Sequence, residues 1–140
     1  MTTLAIDPGL GGGLAWKTEF AVSQPEPMPE TEADIVALIR SIAPDVAVIE
    51  DIPWMTGLRV NPAALSKLHR NCGVIHGCLL TLGIKTILAP PKVWQARFGI
   101  AEKDYKKRKN RLKAEAQRRY PSLKISLATA DAVLILDWAT

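Results

Sequence analysis

Two short apolar runs, each closed by an acidic residue, restrict what this chain can fold into. The run TLAID ends at Asp7, and the run VAVIE is apolar without alternation until Glu50. Uninterrupted apolar strands are typical of a parallel sheet covered on both faces. A helical pattern over residues 31–43 separates the two runs, and strands joined through a helix pair in parallel. The sequence therefore predicts an α/β fold with both acids at one edge of the sheet.

The rest of the chain continues this alternation of strands and helices. Further strands are predicted over GLAWK and EFAVS, on either side of a tight turn at Thr18, and over KTILA. The proline-rich run QPEPMPE is predicted to be a loop without regular structure. Helices are predicted over residues 31–43, 62–82, 103–120 and 129–139, with a short turn or helix at PPKVWQARFGI and with Thr31 and Thr129 as N-caps. The 140 residues suit one domain, residues 1–140.

Composition excludes several classes of protein. No apolar run of 18 residues occurs, and the N-terminus lacks a signal-peptide pattern, so we expect a cytoplasmic protein without a membrane segment. The two cysteines cannot form a disulfide framework and are expected to be reduced. The glycine-rich turn after Asp7 lacks the Gly-Lys-Ser/Thr of a Walker loop, and Leu14 stands where a dinucleotide fingerprint needs glycine, so no nucleotide cofactor is expected.

Basic residues are concentrated in one part of the chain. Residues 85–124 hold thirteen Lys and Arg against three Asp and Glu, whereas residues 1–84 hold five against nine. Such a block indicates a polyanionic partner, most often nucleic acid, although a solvated helix face gives the same pattern. The candidate phosphate-binding residues of the basic helix are Lys106, Lys107, Arg108 and Lys109.

A third acid adds to the two strand ends. Asp131 lies in the first turn of a strongly apolar predicted helix, and three acids converging from two strands and a helix would make a hard oxygen site for Mg²⁺ or Mn²⁺. Each acid also has an ordinary interpretation. Asp131 suits the helix dipole, and Glu50 with Asp51 suits the start of a solvated loop.

A second group with metal-ligand chemistry lies on the helix predicted over residues 62–82. His69, Cys72 and His76 share one helix face, but no fourth zinc ligand is evident, so a packing face is the favoured interpretation, with Gly73 and Gly77 allowing close approach. In the preceding loop, Trp54 and Arg59 are candidate DNA contacts. Trp54 suits wedging or stacking on bases, and it equally suits covering the core.

In order and spacing, the segments AIDPGLGGGLA, VAVIED, ALSKLHRNCGVIHGCLLTLGI, APPKVWQ, GIAEK and TADAVLIL resemble the RuvC-type Holliday junction resolvases of the ribonuclease H-like superfamily. The compact length and PPKVWQ look most like phage-encoded members. The resemblance implies a mixed five-stranded sheet, its first three strands antiparallel and the rest parallel, flanked by helices. It also implies a homodimer, which we expect to form through the helix over residues 62–82.

The resemblance also implies roles for individual residues. Asp7, Glu50 and Asp131 match the family's metal-binding carboxylates, which would hold two Mg²⁺ or Mn²⁺ ions for phosphodiester hydrolysis. Lys103 matches a basic residue that supports cleavage, and Lys92 lies near a second such position.

One position departs from the family pattern. A fourth ligand usually stands three residues before the last aspartate on the same helix face, and here that position is Ala128. Three functions follow as hypotheses: an endonuclease acting on four-way or other branched DNA, a junction-binding relative without catalysis, and a YqgF-like ribonuclease.

Overall fold

The computed structural model describes residues 1–52 and 61–140. One mixed sheet is built from β1 Thr3–Asp7, β2 Gly13–Lys17, β3 Glu26–Pro27, β4 Val46–Glu50 and β5 Lys85–Ala89. The spatial order is β3-β2-β1-β4-β5, in which β3, β2 and β1 are antiparallel neighbours and β1, β4 and β5 run parallel. The predicted fold class is confirmed.

The third strand lies later in the chain than predicted. The segment EFAVS makes a single bridge, from Val22 to Lys17, because the chain turns around Thr18, whose hydroxyl oxygen accepts the backbone N–H groups of residues 20 and 21. β3 instead lies inside the proline-rich run that was predicted to be a loop. An edge strand tolerates proline because it needs donors only towards its neighbour, and Met28 supplies one to the Gly12 carbonyl at 2.9 Å.

The helices lie close to their predicted positions. They are α1 Glu32–Ile42, α2 Pro62–Thr81, α3 Pro91–Ala96, α4 Tyr105–Arg119 and α5 Ala130–Ala139. Thr31 caps α1 as predicted, its side chain accepting the Asp34 N–H. Thr129 occupies the cap position of α5 but makes no side-chain cap bond, because its hydroxyl accepts the N–H of Ser126 instead. None of the helices in the described ranges is both long enough and apolar enough to cross a membrane.

Two hydrophobic cores cover the two faces of the sheet. Leu4, Ile6 and Ile49 pack with α1 and α2 on one face, while Ala5 and Val48 pack with α4 and α5 on the other. Successive side chains on a strand alternate between faces. Asp7 and Glu50, two residues beyond Ala5 and Val48, therefore point towards α5.

Candidate metal-binding and nucleic-acid site

Three acids meet at the carboxyl ends of the central strands. Ile6 pairs with Ile49 in the β1–β4 register, so Asp7 and Glu50, the next residues, end neighbouring strands about 4.8 Å apart. Asp131 approaches from the first turn of α5. Asp7 is 6% exposed and Asp131 is 7% exposed. We call Asp7, Glu50 and Asp131 the acidic cluster.

The acidic cluster lies in a cleft of about 410 Å³. The glycine turn after β1, the start of α2, α3 and α4 form its walls, and α4 contributes Tyr105, Arg108 and Lys109. The carboxyl ends of the strands in an open α/β sheet are where ligands bind. The cleft therefore combines a ligand-binding position with buried acids and a basic wall.

Each carboxylate of the acidic cluster accepts one hydrogen bond from the described residues. Asp7 Oδ1 accepts the Gly9 N–H at 3.1 Å, and Glu50 Oε2 accepts the Trp94 Nε1–H at 2.9 Å. Asp131 Oδ2 accepts from Lys109 Nζ at 2.8 Å. Asp131 Oδ1 is buried and has no hydrogen-bond partner among the described residues. A buried carboxylate oxygen without a donor is costly unless a cation satisfies it.

The charges of the acidic cluster repel one another. Burial, and then the charge of Asp131, raises the pKa of Asp7 to about 6. Burial, followed by the charges of Asp7 and Asp131, raises the pKa of Glu50 to about 8. Burial opposes the charge of Lys109, but Asp131 and then Asp7 outweigh it and hold the pKa of the ammonium above its ordinary value. The single positive charge of Lys109 thus does not balance the three carboxylates of the cluster.

A divalent cation fits this donor set. Carboxylate oxygens are the ligands that Mg²⁺ and Mn²⁺ prefer, and Asp131, which lines the cleft, has one buried oxygen without a donor among the described residues. Within residues 1–52 and 61–140, however, no three acidic, histidine or cysteine side chains stand arranged to enclose an ion. Binding therefore requires these side chains to move.

Lys109 is directed towards the acidic cluster. It was predicted to bind phosphate, and in the structure its side chain is 16% exposed and ion-paired with Asp131. Leu112 and Ala116, one and two turns further along α4, are fully buried and turn this face inward. Position 109 falls on the same helix face as Tyr105, Leu112 and Ala116. The spacing of these residues in the sequence therefore already indicated that the side chain at 109 points inward.

The other predicted basic residues among the described ones lie at the surface, and one of them lines the cleft. Arg108 lines the cleft, its guanidinium 5.5 Å from the Tyr105 ring. Lys106 is exposed beside an adjoining cavity, and Lys107 is exposed on α4. Lys103 and Lys92 are also exposed, and neither lines the cleft. Trp54 and Arg59 lie outside the described residues.

Two small residues, Gly12 and Ala128, line the cleft and the adjoining cavity respectively. A side chain at Gly12 would come within 2.2 Å of the Asp7 carbonyl oxygen, so this glycine is needed for the turn to pack against β1. Ala128 was predicted one helical turn before Asp131 on the same face. Because α5 begins at Ala130, Ala128 lies in the preceding turn and lines the adjoining cavity with Lys106 and Lys109.

The zinc alternative on α2 gains no support. His69 and His76 are exposed, and the part of the chain that the structure describes contains no group of three such ligands. Gly73 and Gly77 were interpreted as allowing close packing. Among the described residues, and apart from the backbone of α2 itself, nothing lies within 4 Å of a side-chain position at either glycine, so no other described element of this chain packs against them.

Trp94 is a residue of the site that its sequence pattern did not indicate. α3 carries it into the core beneath the cleft, where it is fully buried and bonded to Glu50. A tryptophan in a short proline-flanked segment after a strand gives little indication of its partner, because that partner lies 44 residues earlier in the chain.

Comparisons with known proteins support the fold. A structure described as "T. thermophilus RuvC in complex with Holliday junction substrate" matches with a TM-score of 0.66 and 14% identity, covering 99% of this chain and 91% of that one. The structure described as "Thermus thermophilus RuvC structure" matches with a TM-score of 0.62 and 14% identity, covering 99% and 92%. No protein-family model and no curated protein sequence matches the chain. The predicted resemblance to RuvC is thus confirmed as a likeness of fold.

Proposed function

We propose that this protein is a divalent-metal-dependent endonuclease that cuts branched DNA such as four-way junctions. The observation that carries the proposal is the convergence of Asp7, Glu50 and Asp131 in one cleft, with a buried carboxylate oxygen that has no donor among the described residues. The RuvC-like fold supports the same function, because one matched structure is described as a complex with a Holliday junction substrate.

The acidic cluster would hold Mg²⁺ or Mn²⁺. When bound, the metal supplies Lewis-acid chemistry, activating water and stabilising the leaving oxygen of a phosphodiester. Trp94 fixes one oxygen of Glu50, so its carboxylate is oriented before substrate arrives. The Gly12 turn holds Asp7 at the end of β1 and keeps side chains away from it.

Phosphate binding is assigned to the lysine and arginine side chains of the cleft wall and of the surface beyond it. Arg108 stands in the cleft wall, and Lys106 and Lys107 extend a basic surface along α4. Lys103 and Lys92 would contact the DNA backbone further from the acidic cluster, since both are exposed. Contacts of this kind position a nucleic acid without reading its sequence, which suits an enzyme that selects a branched shape.

We also propose a homodimer. The outward face of α2 carries Gly73, Gly77 and Leu80, the last of which is 82% exposed. A four-way junction has two strands to cut, and a two-fold dimer would place one cleft on each.

One observation favours a second function, junction binding without cleavage. Lys109 already neutralises part of Asp131, and no group of ligands in the described ranges is arranged for an ion. A chain that kept its basic surface but no longer held metal would still bind branched DNA.

Cleavage assays distinguish these functions. The protein is incubated with a four-way junction, linear duplex DNA or structured RNA, with Mg²⁺, Mn²⁺ or EDTA. We expect cutting of the junction only when a divalent metal is present. Asp7→Asn is expected to abolish cutting and to leave junction binding intact, because Asn still accepts the Gly9 N–H. Tight junction binding without cutting identifies the binding function, and cutting of RNA alone identifies a ribonuclease.

A further inference from the structure

Lys109 is the only ammonium group of α4 that the structure directs into the acidic cluster. Its neighbours on the same face, Leu112 and Ala116, are fully buried against α5, so helix geometry turns position 109 towards the cleft. Its Nζ lies 2.8 Å from Asp131 Oδ2. The inward direction is therefore set by core packing and does not depend on a bound nucleic acid.

The hydrogen bonds divide the carboxylate oxygens into two sets. Gly9, Trp94 and Lys109 each occupy one oxygen of a different acid. The remaining oxygens, one on each acid, accept no hydrogen bond from the described residues. Three single oxygens supply half of the six-ligand shell of one Mg²⁺, with water or phosphate as the rest. A second ion would have to share these three oxygens, because the other oxygen of each acid already accepts a hydrogen bond.

The charge of the site also favours a single bound ion. Three ionised carboxylates carry three negative charges and the Lys109 ammonium carries one positive charge. A single divalent ion therefore cancels the two negative charges that remain. A second ion would leave a buried excess of positive charge, which is costly.

We propose that Lys109 is a fixed cation of the site and takes the place of one of two divalent ions, so that each chain binds a single ion. This inference rests on the proposed metal-dependent function. It differs from the expectation of two ions drawn from the family resemblance.

The number of ions bound per chain tests the proposal. Metal-stripped full-length protein is titrated with Mn²⁺, and the free ion is measured by its EPR signal. We expect one ion per chain. Lys109→Gln frees Asp131 Oδ2 and removes the positive charge, so this variant is expected to bind two. Lys109→Arg keeps the charge and is expected to remain at one. Lys107→Gln is the matched control, since residue 107 lies on the opposite side of α4, and it too is expected to remain at one.

The outcomes separate the inference from the function on which it rests. Two ions bound by the unchanged protein, together with metal-dependent cleavage of junctions, would overturn the role of Lys109 alone. A single ion bound by folded Lys109→Gln would overturn it as well. No Mn²⁺ bound by any form would overturn the proposed metal-dependent function itself. Circular dichroism establishes whether each variant folds, and if Lys109→Gln does not, the counts for the unchanged protein and Lys109→Arg still decide.

Discussion

Trp94 donates its indole N–H to Glu50 Oε2 over 2.9 Å, joining the fully buried side chain of α3 to the acid at the end of β4. This bond fixes the carboxylate from below the cleft. It also partly offsets the effect of burial on the pKa of Glu50. Trp94 is therefore a positioning residue for the acidic cluster.

Replacing Trp94 with Phe is expected to weaken metal binding while the protein still folds. The variant loses a hydrogen bond that is worth about 0.5–1.5 kcal/mol while Glu50 is protonated and about 1.5–3 kcal/mol once its carboxylate is ionised. We expect a corresponding loss of stability in urea unfolding and a higher Mg²⁺ concentration for half-maximal junction cleavage. Trp138→Phe is the control, because Trp138 is only partly buried and packs at the margin of the same core. An unchanged Mg²⁺ dependence in Trp94→Phe would remove this role.

The stability of the metal-free protein is expected to fall as the pH rises from about 4.5 to about 8. The pKa of Glu50 is raised from 4.5 to about 8 in the folded protein, so over this window the folded state holds a proton that the unfolded state has lost. Stability decreases with pH wherever the folded state binds more protons, by at most about 1.4 kcal/mol per pH unit for one proton. Urea unfolding in EDTA at several pH values measures this slope.

Two comparisons check the origin of that slope. Glu50→Gln removes one titrating group and is expected to flatten the curve above about pH 6, whereas the raised pKa of Asp7 keeps a slope below that pH. Saturating Mg²⁺ is expected to flatten the whole curve, because the ion stabilises the ionised acids. A slope above about pH 6 that persists in Glu50→Gln would assign it to other groups.

Junction affinity is expected to fall steeply as the salt concentration rises, because the exposed lysine and arginine side chains of α4 would bind DNA phosphates. Each neutralised phosphate contact contributes about −0.9 to the log–log slope. Lys106→Gln combined with Lys107→Gln is therefore expected to reduce the slope by about two units. Electrophoretic mobility shifts at several salt concentrations measure it. Arg118→Gln is the control, since Arg118 is already paired with Glu115 at 2.7 Å, and its slope is expected to match that of the unchanged protein.

The protein is expected to be a dimer at micromolar concentration. Leu80 is 82% exposed on the outward face of α2, and Leu80→Glu places a charge in the proposed interface. Sedimentation velocity is expected to show a dimer for the unchanged protein and a monomer for this variant. Phe20→Glu is the control, because Phe20 is 88% exposed on the turn after β2. A monomer in every sample, with or without junction DNA, would contradict the proposed assembly.

The positions of Asp7 and Glu50 at the ends of two strands could be predicted from the sequence because they depend on local patterns. TLAID and VAVIE each contain their own apolar run and terminal acid, and a helix between them requires parallel pairing. The adjacency of Asp7 and Glu50 then followed from strand geometry, and the β1–β4 register agrees with it. The β3 prediction failed for the converse reason. An edge strand of two residues, one of them proline, is defined by its neighbour β2 and leaves almost no pattern of its own.

Local sequence patterns were enough to predict which acids end the strands and where the basic residues are concentrated. The contacts that individual side chains of those sets make depend on how the elements pack together. Lys107 and Lys109 lie in the same basic run, yet one is exposed and the other is paired with Asp131. Trp94 and Glu50 lie 44 residues apart and meet only because α3 packs beneath the end of β4. Strand ends and charge density arise from neighbours along the chain, whereas these pairings arise from packing between distant elements, which a local pattern does not encode.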